Sequence, residues 1–357
     1  MKKVALLTYH DTTNFGAMLQ MYGLYRKINE LGYECSVLNY TNEYIRQAEI
    51  PEPFRFSLNP HKLVAELLIK SKYRVKYRDM KSFFNHNIQN FTQPLSRKGL
   101  FEIGEQFDAY VAGSDMLWAL DLTHNDYSYF LDFVSDKSVR LSFATSIGSE
   151  WTQEQLERIR VLMSKFKYVS VREEATANTL KQLLNRNCDV VCDPTMLLTR
   201  DDWESFVSKR YRNDKYVLVY FQSENKKNLK DACEYAKRNG LKVYDISAGI
   251  LHDNNVKNVF PTKIEDFLSL LYYAEAIFTA SYHGMLFGLY FHKRLVYYNR
   301  HPAYRMITAA KKLGVEYLEG STLNISQGLP TVDYNAVDNK VEKYRKYSID
   351  KLKEALQ

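Results

Sequence analysis

The sequence predicts an α/β protein built from two doubly wound units. Three observations predict it. Short apolar runs rich in strand formers recur along the chain, each closing on a polar turn and giving way to a helical pattern. That alternation breaks once, at residues 199–214 (TRDDWESFVSKRYRND), and then resumes. The chain has 357 residues, more than one typical domain uses and enough for two.

The elements follow in order. Residues 4–9 read as a buried strand, 10–16 as a turn, 17–31 as a helix ending near Gly32, and 35–39 as a strand. This βαβ opening lacks the G-x-G-x-x-G fingerprint, which disfavours a nicotinamide cofactor. Its turn, with Asn14 and Gly16, suits an anion or a sugar hydroxyl, and equally a plain polar loop. Residues 42–60 hold Pro51, Pro53 and Pro60 and predict an irregular connection. Residues 61–90 predict a basic helix with Lys70, Lys72, Arg74, Lys76, Arg78 and Lys81. Such a run is either a solvated face or a contact with anionic lipid or a lipid-linked diphosphate. Strands at 108–112, 140–147, 168–171 and 189–192 alternate with helices at 151–166 and 175–184. Their polar ends carry Ser114 and Asp115, Ser146, Arg172, and Asp193. Beyond 199–214, strands at 215–221, 241–246 and 258–260 alternate with helices at 224–239 and 264–273. Residues 276–299 read as strand, polar turn, short helix, strand, with Ser281, His283 and Gly284 at the helix start. There, free backbone N–H groups favour an anion, and Ser281 and His283 add a hydroxyl and an imidazole. Spacing alone leaves a plain helix cap equally open. A helix over 301–313 carries Arg305, and an amphipathic helix fills 338–356. The expected boundaries are 1–200, 201–335 and 336–357.

Composition narrows the chemistry. Hydrophobic residues make up 45% and charged residues 25%, as in globular proteins. A net charge of +7 suits anionic substrates or a membrane surface and is too weak to argue for nucleic acid. Cys35, Cys188, Cys192 and Cys233 are scattered and predict four buried thiols in a reducing compartment, with Cys188 and Cys192 on one strand face. No long apolar leader follows Met1, and no stretch approaches the roughly 20 apolar residues of a membrane span, so a cytoplasmic protein is expected. The sequence has no P-loop, H-E-x-x-H, G-x-S-x-G, paired C-x-x-C or Asp-x-Asp, and no metal is expected. Polar residues at strand ends remain. Two such units facing one another would form a cleft for a ligand.

Taken in order, these pieces resemble the polysaccharide pyruvyl transferase family. The matching residues are Thr8-Tyr9-His10 with Asn14-Phe15-Gly16-Ala17-Met18-Leu19-Gln20, then Gly113-Ser114-Asp115 with Trp118. Next come residues 142–148 (SFATSIG), Val169-Ser170-Val171-Arg172-Glu173, Asp193-Pro194-Thr195, and Thr279-Ala280-Ser281-Tyr282-His283-Gly284 followed by Phe291-His292-Lys293. The resemblance implies a GT-B-like architecture, two Rossmann-like domains facing across a cleft, with a final helix crossing back to the first. It implies transfer of pyruvate from phosphoenolpyruvate, the donor substrate in place of a cofactor, onto two hydroxyls of a sugar in a polysaccharide or glycan precursor. A cyclic ketal and phosphate result. His283 and Arg172 are then the expected catalytic pair. Ser281, Gly284 and Arg305 would bind the donor, and Asn14, Gly16, Ser114 and Asp115 the acceptor. A lipid-linked acceptor and a peripheral contact with the inner membrane surface are further expectations. The rival is a nucleotide-sugar glycosyltransferase on the same scaffold, with Glu265 or Asp266 gripping a ribose.

Overall fold

The computed structural model describes residues 1–357 apart from 53, 55, 57, 58, 186, 222–225, 248–255 and 300–303. The chain forms two compact units. The first comprises Met1–Ile50, Lys81–Leu198 and Lys343–Gln357; the second comprises Pro51–Met80 and Thr199–Glu342.

The first unit opens with β1 (Lys3–Leu7), whose last four residues are buried. Helix α1 (Phe15–Glu30) starts at Asn14, whose side-chain oxygen accepts from the Gly16 and Ala17 amides. Strand β2 (Glu34–Val37) follows, then α2 (Glu43–Glu49). Helix α2 lies where an irregular connection is expected. Asn42 caps it through the Ile45 amide, but none of its residues is buried, so no apolar periodicity announces it. The chain then gives the second unit α3 (Pro60–Ala65), a π-helical turn (Glu66–Lys70) and α4 (Ser71–Asn87) as far as Met80. Back in the first unit come α5 (Arg97–Glu102), β3 (Ala109–Ala112), β4 (Val139–Thr145), α6 (Gln153–Met163), β5 (Phe166–Val171), α7 (Glu174–Leu184) and β6 (Asp189–Val190). The six strands form one parallel sheet in the order β2-β1-β3-β4-β5-β6. Its core packs Tyr110, Trp118, Tyr129, Phe130, Phe166 and Leu180.

The second unit resumes with α8 (Arg200–Glu204), inside the stretch expected as a linker. A reciprocal cap between Thr199 and Asp202 sets its start. Then come β7 (Tyr216–Tyr220), α9 (Lys226–Arg238), β8 (Lys242–Ile246), β9 (Val256–Val259), α10 (Ile264–Tyr272), β10 (Ala276–Thr279), α11 (Tyr282–Tyr290), β11 (Arg294–Tyr297) and α12 (Tyr304–Leu313). Strand β9 begins two residues before the expected 258. Residues 224, 225 and 301–303 of two expected helices lie outside the described residues. The five strands are parallel, in the order β11-β10-β7-β8-β9, over a core that includes Val217, Val219, Tyr235, Phe278 and Val296. Helix α13 (Tyr334–Leu356) begins in this unit, and from Lys343 onward belongs to the first. There the Ser348 hydroxyl accepts from Cys192 N, Arg345 Nε donates to the Met196 carbonyl, and the Tyr347 hydroxyl donates to Asp189.

All four cysteines are thiols. Cys35 and Cys192 are buried as expected, whereas Cys188 and Cys233 are half-buried at core margins. Cys188 and Cys192 share no strand face, because β6 spans only Asp189–Val190. Among the described residues no helix is long and apolar enough to cross a membrane.

Candidate functional site

Each sheet has one place where the winding reverses: between β1 and β3 in the first unit, and between β7 and β10 in the second. The carboxyl ends of strands at such a point open a crevice that helices cannot fill, which makes it the usual ligand position of an open α/β sheet.

At the first reversal, the loop after β1 is tied to the loop after β3. Thr8 Oγ1 donates to the Ser114 carbonyl (3.2 Å) and accepts from Gln20 Nε2 (2.9 Å). The Tyr9 hydroxyl donates to the Met116 carbonyl (3.2 Å). Burial, and next the charge of Asp115, push the Tyr9 phenol well above its ordinary pKa, so it stays a donor. The His10 ring sits between the Thr8 carbonyl and the Asn39 side-chain oxygen, 3.1 Å from each. Asn14 is exposed, but its oxygen serves the helix cap, and Gly16 is buried in the first turn of α1. Ser114 is buried, with its hydroxyl oxygen making no hydrogen bond. Asp115 follows with a left-handed backbone, φ 82°, a conformation that costs a non-glycine residue free energy. Its carbonyl accepts from Ser146 N (2.9 Å), which welds the ends of β3 and β4.

Arg172 lies one residue past β5 with its side chain 1% exposed. Nη1 donates to Asp193 (2.7 Å) and Nη2 to Asp115 (3.4 Å). Asp193 is fully buried and also accepts from the Thr195 amide and hydroxyl, so it is both a turn former and the anchor of Arg172. The neighbouring Glu173 does not take the guanidinium; its carboxylate accepts from Ser146 and Thr176, 2.7 Å each. The result is a carboxylate–guanidinium–carboxylate chain whose outer member is Asp115. Trp118 belongs to the core, stacked on Phe130 with its indole N–H on the Tyr129 carbonyl.

At the second reversal, Thr279 Oγ1 donates to the Tyr220 carbonyl (2.8 Å) and accepts from Ser281 N (3.0 Å), joining the ends of β10 and β7. The Ser281 hydroxyl accepts from Gly284 N (3.3 Å) and caps α11. All nine residues of α11 are buried. A Cβ on Gly284 would collide with Thr279 Oγ1, so this close approach needs glycine. His283, in the first turn, is buried against the Tyr282 ring, and the Arg305 guanidinium lies 5.8 Å from the centroid of that ring. Ser281, His283, Gly284 and Arg305 therefore gather at one helix start. Asn14, Gly16, Ser114, Asp115 and Arg172 gather within the first unit.

Thr8, Gln20, His10, Thr279 and Asp193 complete these clusters without standing among the expected site residues. Thr8 and His10 carry a signal in their run beside Asn14; Asp193 shows its role only through contact with Arg172. Asp266, expected as a ribose ligand in the rival reading, is held by Arg210 and Ser208. A 580 Å³ cavity lies at the carboxyl end of β11, lined by Asn228, Tyr297, Tyr298, Glu316 and Glu319 among others. Among the described residues no His, Cys, Asp and Glu side chains group as metal ligands.

Solved structures share the fold. The UDP-GlcNAc 2-epimerase of Neisseria meningitidis bound to UDP-GlcNAc is 12% identical, with 98% of this chain and 93% of that one aligned at a TM-score of 0.50. An α-glucosyltransferase in complex with UDP and a 13-mer DNA is 8% identical over 99% and 95% of the two chains, at 0.51. The S. aureus MnaA–UDP structure is 10% identical over 96% and 88%, at 0.50. These likenesses establish the GT-B-like, two-unit α/β architecture. No curated protein matches the sequence significantly. The family profile described as polysaccharide pyruvyl transferase matches residues 14–302, a span that holds Asn14, Gly16, Ser114, Asp115, Arg172, Ser281, His283 and Gly284 and stops short of Arg305. With that span matched, the chain belongs to the polysaccharide pyruvyl transferase family.

Proposed function

We propose that the protein transfers pyruvate from phosphoenolpyruvate to two hydroxyls of one sugar in a glycan precursor. The observation that carries this reading is His283 in the first turn of α11, beside Ser281 and Gly284 inside the span matched by the family, with Arg305 against the neighbouring Tyr282 ring. A capped helix start with a nearby guanidinium suits a phosphate or carboxylate. The imidazole suits proton delivery to carbon or stabilisation of departing phosphate.

The steps balance as follows. A proton adds to the methylene carbon of phosphoenolpyruvate and makes it a methyl, leaving an oxocarbenium-like centre. The first sugar hydroxyl attacks that centre and releases its proton. The C–O bond to phosphate breaks, and the second hydroxyl attacks and releases its proton. One released proton replaces the one used on carbon; the other leaves with phosphate. His283 is the donor of the first proton in this scheme. Ser281, Gly284 and Arg305 hold the donor's anionic groups. Asn14, Gly16, Ser114 and Asp115 hold the acceptor. Arg172, expected as one of the catalytic pair, acts in this reading as a positioning residue, because both of its terminal nitrogens meet carboxylates of its own unit.

The cavity lined by Glu316 and Glu319 is a feature that favours the nucleotide-sugar rival, since a carboxylate there suits ribose hydroxyls. A thermal-shift comparison separates the two. Phosphoenolpyruvate should raise the melting temperature, by about 2.7 kcal/mol of added stability at 100 times its Kd, while UDP-sugars leave it unchanged. His283→Ala should then lower turnover roughly 100-fold or more. A His283→Gln protein with normal turnover would remove the acid role, and a shift with UDP-sugars alone would replace the whole reading by its rival.

A further inference from the structure

We propose that the face of the second unit carrying Phe54, Phe56, Val64, Leu67 and Leu68 docks on an anionic lipid bilayer. The sequence suggests a lipid contact through basic side chains; the structure points instead to apolar ones. Phe56 is 72% exposed, Phe54, Val64 and Leu67 52% each, and Leu68 46%. Scattered exposed apolar residues are ordinary, but here they crowd one short stretch, which marks a surface meant for a partner. The π-helical turn Glu66–Lys70 supplies the local cause. It widens the helix and leaves two successive leucines outward, and such turns concentrate at functional places.

The basic residues divide into two groups. Arg74 is a structural tie: it donates to the buried Glu66 carboxylate (2.8 Å) and to the Glu52 carbonyl (2.9 Å), and lies 5.7 Å from the Phe54 ring. It thus fastens the stretch holding Phe54 to the helix. Lys76 lies over Phe260. Lys72 and Arg78, in contrast, are exposed. The acids nearby are few. Glu66 is buried and ion-paired to Lys70 and Arg74, Glu52 meets Lys70, and Asp79 meets Arg78 and Thr262. Residues 51–80 hold seven Lys or Arg against three Asp or Glu, a net +4 within the chain's +7.

Apolar side chains flanked by cations are the complement of a bilayer interface with anionic headgroups. The same charges oppose a second copy of the chain, since a two-fold contact would bring like charges together. The inference is independent of the transfer reading, because vesicle binding and turnover are measured separately.

The test is co-sedimentation of the full chain with vesicles of phosphatidylglycerol and phosphatidylcholine, and with phosphatidylcholine alone. The expected result is binding to the anionic vesicles, weakened by salt, and weak binding to the neutral ones. The double variant Leu67→Gln/Leu68→Gln should cut binding about tenfold or more, since each leucine loses apolar burial, with melting temperature unchanged. Lys72→Gln/Arg78→Gln should remove the preference for anionic lipid. The proposal is overturned if the parent protein stays in the supernatant, or if the leucine variant sediments like the parent. It is also overturned if light scattering shows a parent dimer that the leucine variant dissolves, because the face is then an interface between copies.

Discussion

Arg172 looks from its neighbours like a residue waiting for an anion, and the folded unit already supplies two. Its partners, Asp193 and Asp115, stand 21 and 57 residues away, a pairing that no local pattern encodes. The left-handed backbone of Asp115 is equally invisible in sequence, because it follows from the weld between the ends of β3 and β4. His283 and Ser281 were legible for the opposite reason: a helix start after a buried strand is written in adjacent residues. Removing Arg172 strands a fully buried carboxylate. Arg172→Ala should therefore cost about 3–5 kcal/mol of unfolding free energy, read by urea denaturation, whether or not ligand is present. Asp115→Asn should raise the acceptor KM more than the donor KM. Equal effects on both constants would remove Asp115 from the acceptor site.

Strands announced themselves as continuous apolar runs, since parallel strands are buried on both faces. Helix α2 does not, because only Ile45 packs against the core and none of its residues is fully buried, and α8 is hidden in a charged sequence whose capping pair reads as linker. Helix α11 is the element on which the proposed site depends, and its tolerance is narrow. Gly284→Ala should destabilise the second unit by about 1–3 kcal/mol, the usual range for overpacking, because Thr279 Oγ1 is itself fixed between Tyr220 and Ser281. Thermal unfolding checks this. An alanine variant as stable as the parent would mean that the strand-end junction yields, and with it the rigid geometry assumed for the anion site.

Two α/β units and their order along the chain were readable from alternation alone. Membership of the segment Pro51–Met80 was not, since it depends on contacts such as Tyr73 with Phe260 and Asp79 with Thr262, more than 180 residues apart. The same holds for Lys343–Gln357, which the first unit claims through Ser348, Arg345 and Tyr347. A chain stopped after Glu342 should retain strands β1 to β6 yet melt several degrees lower, by circular dichroism. A fragment of unchanged melting temperature would reduce those three bonds to surface decoration.

The distribution of the first unit over three separate stretches also bears on biosynthesis. Residues 343–357 are made only after all of 199–342, so the surface they cover around Asp189, Cys192 and Met196 stays open meanwhile. At about 5–20 residues per second, that interval is roughly 7–30 s. For that time a nascent chain presents an incomplete edge beside β6, a natural place for a chaperone to hold and for neighbouring chains on a polysome to entangle.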